Sequence, residues 1–127
     1  MPTSKILIVE DNYATARALM FLLTRAGYAC RMARDGLEAL EKIEEEKPDL
    51  IVLDLGMPRM DGLELCRRLR REKRYRDLYV IVLTALGDDA DITRAHEAGA
   101  DECLGKPLDP PKLLKRVDEA LRAAETR

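Results

Sequence analysis

Apolar positions along the chain follow two rhythms. Ile6-Leu7-Ile8-Val9, Leu50-Ile51-Val52-Leu53, Val80-Ile81-Val82-Leu83 and the weaker Cys103-Leu104 are short, continuous and rich in β-branched residues. Continuity is what a strand buried on both faces requires, whereas a half-exposed strand alternates. Tyr28-Ala29-Cys30-Arg31-Met32 is more mixed and predicts an edge strand. Between these runs the spacing becomes helical. Leu19, Leu22, Leu23 and Ala26 recur at i, i+3, i+4 and i+7 and stop at Gly27, a residue suited to the position after a helix end. Leu37, Leu40 and Ile43 predict a second stripe, Leu65, Cys66 and Leu69 a third, and Leu113, Leu114, Val117 and Leu121 the last. A more polar helix is expected from about Asp88 to Ala98, closed by Gly99. Asp-Gly-Leu-Glu occurs at two helix starts, Asp35 with Glu38 and Asp61 with Glu64, a spacing that resembles a capping box.

Strand and helix thus alternate five times, which predicts an α/β fold with a doubly wound parallel sheet covered by helices on both faces. The 127 residues suffice for one domain, with no repeat or interdomain linker inside it. The polar stretch 122–127 reads as a tail or as the start of a linker to an output domain. Charged residues make up 36% of the chain, yet 22 basic residues nearly balance 24 acidic ones. A net charge of −2 argues against a dedicated nucleic-acid binder. No apolar stretch approaches the ~20 residues of a membrane span, and no signal peptide opens the chain, so a cytoplasmic location is expected. Cys30, Cys66 and Cys103 form no CxxC pair and read as reduced thiols.

In open α/β sheets, ligands bind beyond the carboxyl ends of the strands. The first run is followed there by Glu10 and Asp11, the central one by Asp54, the next by Thr84, and the last by Gly105 and Lys106-Pro107. The expected edge strand contributes no such group. Three crowded carboxylates repel one another unless a cation joins them, and hard oxygen ligands completed by water and phosphate oxygens suit Mg²⁺. Together the metal and Lys106 would cancel the formal charge of the acids and let a phosphoryl group approach. Phosphoryl transfer depends on such positioning and neutralisation, and a carboxylate can serve as its nucleophile. Asp54 suits that role because Leu55-Gly56-Met57-Pro58 delays the next helix, so it is no helix cap. Thr84 offers a hydroxyl and Lys106 an ammonium to the phosphoryl oxygens.

Each feature has a plainer reading when taken alone. Glu10-Asp11 reads as capping of the first helix, Thr84 as a strand end, Lys106-Pro107 as a turn, and His96 as a solvated side chain. Only the combination points to chemistry. Seven of the ten residues from Arg67 to Arg76 are basic. They form either an electrostatic docking patch or the partner of an acidic second helix carrying Glu41, Glu44, Glu45 and Glu46. Tyr75 is the one aromatic among them, so direct nucleic-acid binding is not expected.

The strings Ile6–Asp11 (ILIVED), Asp54–Gly62 (DLGMPRMDG), Thr84-Ala85, Gly99-Ala100-Asp101 and Lys106-Pro107 carry a resemblance. In this order the chain resembles the receiver domains of two-component response regulators, including chemotaxis-Y-like single-domain receivers. The resemblance implies a flavodoxin-like fold of five helices and strand order 2-1-3-4-5. It implies that Asp54 is the phosphoacceptor, and that Glu10, Asp11, Asp54 and the backbone carbonyl of Gly56 hold Mg²⁺. Thr84 becomes the switch hydroxyl and Lys106 the phosphate-binding lysine, with a cis bond to Pro107. A sensor histidine kinase or histidine phosphotransfer protein is the implied donor, and a downstream protein or an output domain the recipient of the signal. Phosphorylation would shift a two-state equilibrium and change a surface, with no independent substrate turnover.

Several positions depart from the family pattern. Cys103 stands where the family usually has an aromatic ring, so readout is expected to run through the Thr84–Gly87 loop and the polar helix after it. Gly56 and Leu86 occupy positions that often tune dephosphorylation, and neither has a polar side chain to orient water. Asp101, Glu102 and Arg116 loosely match a dimer-forming charge pattern, whereas His96 and Asp118 break it. Two other readings stay open: a protein-binding module indifferent to phosphorylation, and a haloacid-dehalogenase-type phosphatase, which wants a second Asp where Gly56 stands.

Overall fold

The computed structural model describes residues 3–54, 62–84, 89–106 and 109–125. Five strands, β1 (Lys5–Val9), β2 (Ala29–Ala33), β3 (Leu50–Asp54), β4 (Tyr79–Thr84) and β5 (Glu102–Gly105), alternate with five helices. These are α1 (Tyr13–Arg25), α2 (Gly36–Glu45), α3 (Gly62–Arg71), α4 (Asp89–Glu97) and α5 (Pro110–Glu125), with a 3-10 turn at Lys73–Tyr75 before β4. All strand pairs are parallel, in the order β2-β1-β3-β4-β5. The mixed β2 and the short β5 lie at the edges, and the continuous apolar runs fill the centre.

Continuous runs are needed because successive strand residues point to opposite faces, and both faces are covered. Leu7, Val9, Ile51, Leu53, Val80 and Val82 enter one core with Ala39 and Ile43 of α2, Leu65, Cys66 and Leu69 of α3, and Ala95 of α4. Ile6, Ile8, Leu50, Val52, Ile81 and Leu83 enter the other, with Leu19 and Leu23 of α1 and Leu113, Val117 and Leu121 of α5.

Helix ends follow their expected chemistry where they are described. At the end of α1, Gly27 (φ +102°) donates to Thr24 O at 3.0 Å and Tyr28 to Leu23 O at 3.2 Å, a Schellman closure that needs a left-handed residue. At α2 the Asp35 side chain accepts the Glu38 N–H at 2.9 Å. The other expected cap, Asp61, lies outside the described residues, as does Asp88.

Two packing expectations need correction. Leu37 is 71% exposed, and Ala39 takes its place in the α2 core face with Ile43. At 100° per residue Leu37 lies about 120° around the helix from Ile43, too far to share its stripe. Ala26, expected to close the α1 stripe, is exposed beyond the last helical residue. Tyr13 and Phe21 of α1 are also exposed, at 67% and 64%, and each has an arginine guanidinium over its ring, Arg17 and Arg25 respectively.

Candidate functional site

The parallel register brings sequence-distant residues to one edge. Val9 pairs with Ala33 and Leu53, Asp54 with Leu83, and Thr84 with Gly105, so the carboxyl ends of the strands lie together. Glu10 follows β1 directly, and its N–H donates to Ala33 O at 2.9 Å, extending the ladder by one residue. Asp54 ends the central strand β3, and Thr84 ends β4. The Lys106 N–H donates to Thr84 O at 2.7 Å, which holds the residue after β5 beside the end of β4.

Among the described residues, the buried polar ones are Glu10 (4% exposed), Asp54 (2%) and Thr84 (4%), all at this edge. Buried polar groups are costly unless partnered. Lys106 supplies part of the answer: its Nζ pairs with Asp54 Oδ2 and is partly buried itself. Glu10 supplies another part. Its carboxyl is pushed up to about 8, first by burial and next by its hydrogen bond with the Asp54 side chain. The Asn12 N–H, which donates to Glu10 Oε2 at 3.3 Å, and the Lys106 charge offset this only in part. Crowding of the two carboxyls disfavours charge on Glu10, and the Lys106 ammonium offsets part of that cost.

That arrangement fits the ion expected from the residues. Buried, all-oxygen and short of positive charge, the pair favours a small hard cation over a soft or imidazole-bound one. Among the described residues no three acidic, His or Cys side chains form a ready-made metal cage. Mg²⁺ commonly takes one or two carboxylates and fills its shell with water and phosphate oxygens. Gly56, expected to lend a backbone carbonyl, lies outside the described residues, as do Ala85, Leu86, Gly87 and Pro107.

Asp11 is exposed beside Glu10 and is not the cap of α1. Asn12 has that role, its side chain accepting the Thr15 N–H at 3.0 Å. The sequence reading missed Asn12 because the acids before it and the absence of an acid at Thr15 hid the cap. An Asn preceding the helical period was the available signal.

The remaining candidates separate from the site. Cys103 is half-buried against the α2–α3–α4 core, and its thiol is raised by burial and by the Asp91 charge of α4. Asp101 and Glu102, candidates for contacts between chains, are held within the chain: Asp101 pairs with Arg70 at 2.8 Å, and Glu102 with Arg116 and Tyr79. The basic cluster meets acidic α2 at one point, Arg74 to Glu44 at 3.6 Å, while Arg67 and Arg71 turn to Glu64 on their own helix. A groove of about 600 Å³ lies at the opposite end of the sheet. Its Lys5 and Lys47 pair with Glu46 and Asp77, so it offers paired charges and no reactive constellation.

Comparison with known proteins agrees with this fold. Residues 6–118 match the response regulator receiver domain model. The chain is 42% identical over 121 residues to the alkaline phosphatase synthesis transcriptional regulatory protein PhoP of Bacillus subtilis, covering 95% of this chain and 50% of that protein. It spans about half the length of the curated relatives it matches. The signal receiver domain of a signal transduction histidine kinase from Syntrophus aciditrophicus superposes with a TM-score of 0.88 at 39% identity, covering 95% of this chain and 92% of that one. A CheY-like response regulator receiver domain protein from Methanospirillum hungatei gives 0.89 at 30% identity, covering 98% of both chains.

Proposed function

The chain belongs to the response regulator receiver domain family of two-component systems, and from that premise we propose that Asp54 is its phosphoacceptor. Phosphoryl acceptance is the function of that family. The observation that carries the assignment to Asp54 is its position: a carboxylate 2% exposed, at the end of the central strand, paired with Lys106 and hydrogen-bonded to Glu10.

In this reading Glu10, Asp11 and Asp54, with the backbone carbonyl of Gly56, would hold Mg²⁺, which would supply positive charge against the acids and the phosphoryl oxygens. An Asp54 carboxylate oxygen forms the bond to phosphorus as the phosphorus–nitrogen bond of a donor phosphohistidine breaks. Lys106 Nζ, already on Asp54, passes to a phosphoryl oxygen and keeps its counter-charge within the site. Thr84 donates its hydroxyl to another phosphoryl oxygen. Burial makes both contacts stronger than they would be in water.

The domain assists its own phosphorylation and dephosphorylation and turns over no separate substrate. Its donor is a sensor histidine kinase or histidine phosphotransfer protein. Its signal passes to a downstream protein or to an output domain, as befits a match to half of a transcriptional regulator. The domain itself makes no direct contact with nucleic acid. Among the described residues no helix is long and apolar enough to cross a membrane.

Incubation with acetyl phosphate and Mg²⁺ is expected to add the mass of one phosphoryl group, and Asp54→Asn to abolish the addition. An unchanged mass in a folded wild-type protein would favour a binding module indifferent to phosphorylation. Leu86→Glu and Gly56→Asn are expected to change the lifetime of the phosphorylated form.

A further inference from the structure

Helices α2 and α3 lie side by side on one face of the sheet and carry opposite charge. α2 bears Glu38, Glu41, Glu44 and Glu45 against one lysine, Lys42. The stretch 67–76 bears seven basic residues against Glu72, and one of the seven, Arg70, turns inward to Gly99 and Asp101. Helical geometry shows which of the others face outward. On α2, Ala39 and Ile43 point into the core, and at 100° per residue Leu37, Glu41 and Glu45 fall on the opposite side. On α3, Leu65 and Leu69 point inward. Arg67 and Arg71 fall opposite them, with Arg68 beside these on the side of α2.

Within the chain the two stripes scarcely neutralise each other. Arg74 meets Glu44 at 3.6 Å and Glu72 at 3.3 Å, with its guanidinium over the Tyr75 ring. Arg67 and Arg71 share Glu64, at 3.5 and 3.7 Å. Among the described residues, Glu41, Glu45 and Arg68 form no ion pair. Each stripe also repels itself: Glu41 and Glu45 stand one turn apart, as do Arg67 and Arg71, and like charges at that spacing oppose each other. Beside the acids, Leu37 is 71% exposed. Between the helices lies a cleft of about 170 Å³, with Leu40 and Tyr75 in its wall.

We propose that this face binds a second copy of the chain, α2 of each copy lying over α3 of the other. A surface with adjoining stripes of opposite sign is complementary to itself under a two-fold rotation, whereas a partner of either single sign would be repelled by half of it. Parallel strands make each connecting helix return in the same direction, so α2 and α3 run alike. The cleft fixes their level: Leu40 and Glu44 stand opposite Arg68 and Glu72. A two-fold axis along the helices keeps that level and exchanges left for right. It brings Glu41 and Glu45 of one copy over Arg68 and Arg71 of the other, and each Leu37 towards the other copy's cleft. Two ten-residue helices, each about 15 Å long, give a contact under about 1,200 Å², the small and transient class. The pairs are exposed, so association falls with salt. None of these residues belongs to the phosphoryl site, and the contact stands apart from the phosphoacceptor reading.

Sedimentation equilibrium of the full chain tests this. At about 20 mM salt the mass is expected to rise from one copy toward two between about 5 µM and about 1 mM, with a dissociation constant of about 100 µM. That constant is expected to rise about tenfold at about 500 mM salt. Glu41→Lys with Glu45→Lys, and Arg68→Glu with Arg71→Glu, each set like charges face to face and are expected to weaken association about tenfold or more. The chain with all four substitutions keeps the net charge of −2 and restores opposite charges across the axis. It is expected to associate within about threefold of the unsubstituted chain. The substituted positions are exposed, so the fold is expected to persist. Should a reversed chain not fold, Leu37→Ser, which alters no charge, is expected to weaken association about threefold.

A chain that stays a single copy at about 1 mM and low salt overturns the proposal. So does association that neither a reversed stripe nor Leu37→Ser weakens, or that the folded four-substitution chain fails to recover. A chain that remains single and binds a polyglutamate peptide through Arg68 and Arg71 would give the surface to an acidic partner and rule out the second copy.

Discussion

Cysteines show how far burial separates residues of one type. Cys66 lies within the α2–α3–α4 core, and its thiol is pushed up to about 11, chiefly by burial, with Arg67 and Arg70 opposing. The neutral thiol is the form the fold favours. Its contribution to stability is fully present below the ordinary value of 9.0 and is lost as pH rises through about 11. Alkylation by iodoacetamide at pH 8 is therefore expected to reach the half-buried Cys30 and Cys103 well before Cys66, as mass spectrometry of the partly modified protein would read. Asn12 carries a different burden, capping α1 from the rim of the acidic site. Asn12→Ala is expected to cost about 1 kcal/mol in urea unfolding, whereas Asn12→Ser largely keeps the cap.

At the scale of elements, the leucine pattern of α2 misleads and the structure corrects it. Ile43→Ala is expected to destabilise by about 2–5 kcal/mol, and Leu37→Ser to stay within about 0.5 kcal/mol, both from denaturant midpoints. The three central strands were legible in the sequence because burial on both faces demands unbroken apolar runs, and the edge strands showed as shorter or mixed ones. The chemistry at the strand ends was legible for a related reason. Glu10, Asp54, Thr84 and Lys106 each directly follow or end a run, and parallel topology then places them at one edge. What escaped was information carried by small or polar residues. Ala39 outranks Leu37 in burial because angular position on the helix decides it, and hydrophobicity does not. Asn12 was hidden behind two acids. The contacts of Arg70 with Gly99 and Asp101 could not be seen at all, since nothing in a stretch with seven basic residues in ten marks the one that turns inward.

For the whole molecule, the sheet divides the interior into two separate cores. Ile8→Val, on the α1–α5 side, and Ile43→Val, on the other, should each cost about 0.5–1.5 kcal/mol and add within about 0.5 kcal/mol in the double variant. A larger coupling would mean that packing strain crosses the sheet. The charges follow a comparable division of labour. Many of the surface pairs are exposed and short-range, such as Arg34 with Glu38 and Arg122 with Asp118, and contribute little each. The pairs Arg70–Asp101, Lys106–Asp54 and Arg116–Glu102 are set deeper into the fold.

The strand order also bears on how the chain is made. β1 pairs with β2 and β3, whereas β4 and β5 join the sheet only through the β3–β4 register from Leu50↔Tyr79 to Asp54↔Leu83. A three-stranded half, β2-β1-β3 with α1 and α2, is complete in sequence before residue 79 leaves the ribosome. Vectorial synthesis can therefore assemble the half that ends in Asp54 first, with β4 to α5 docking onto an existing template. In a nascent chain, Asp54 would then wait at an open sheet edge until β4 brings Thr84 and the segment after β5 brings Lys106.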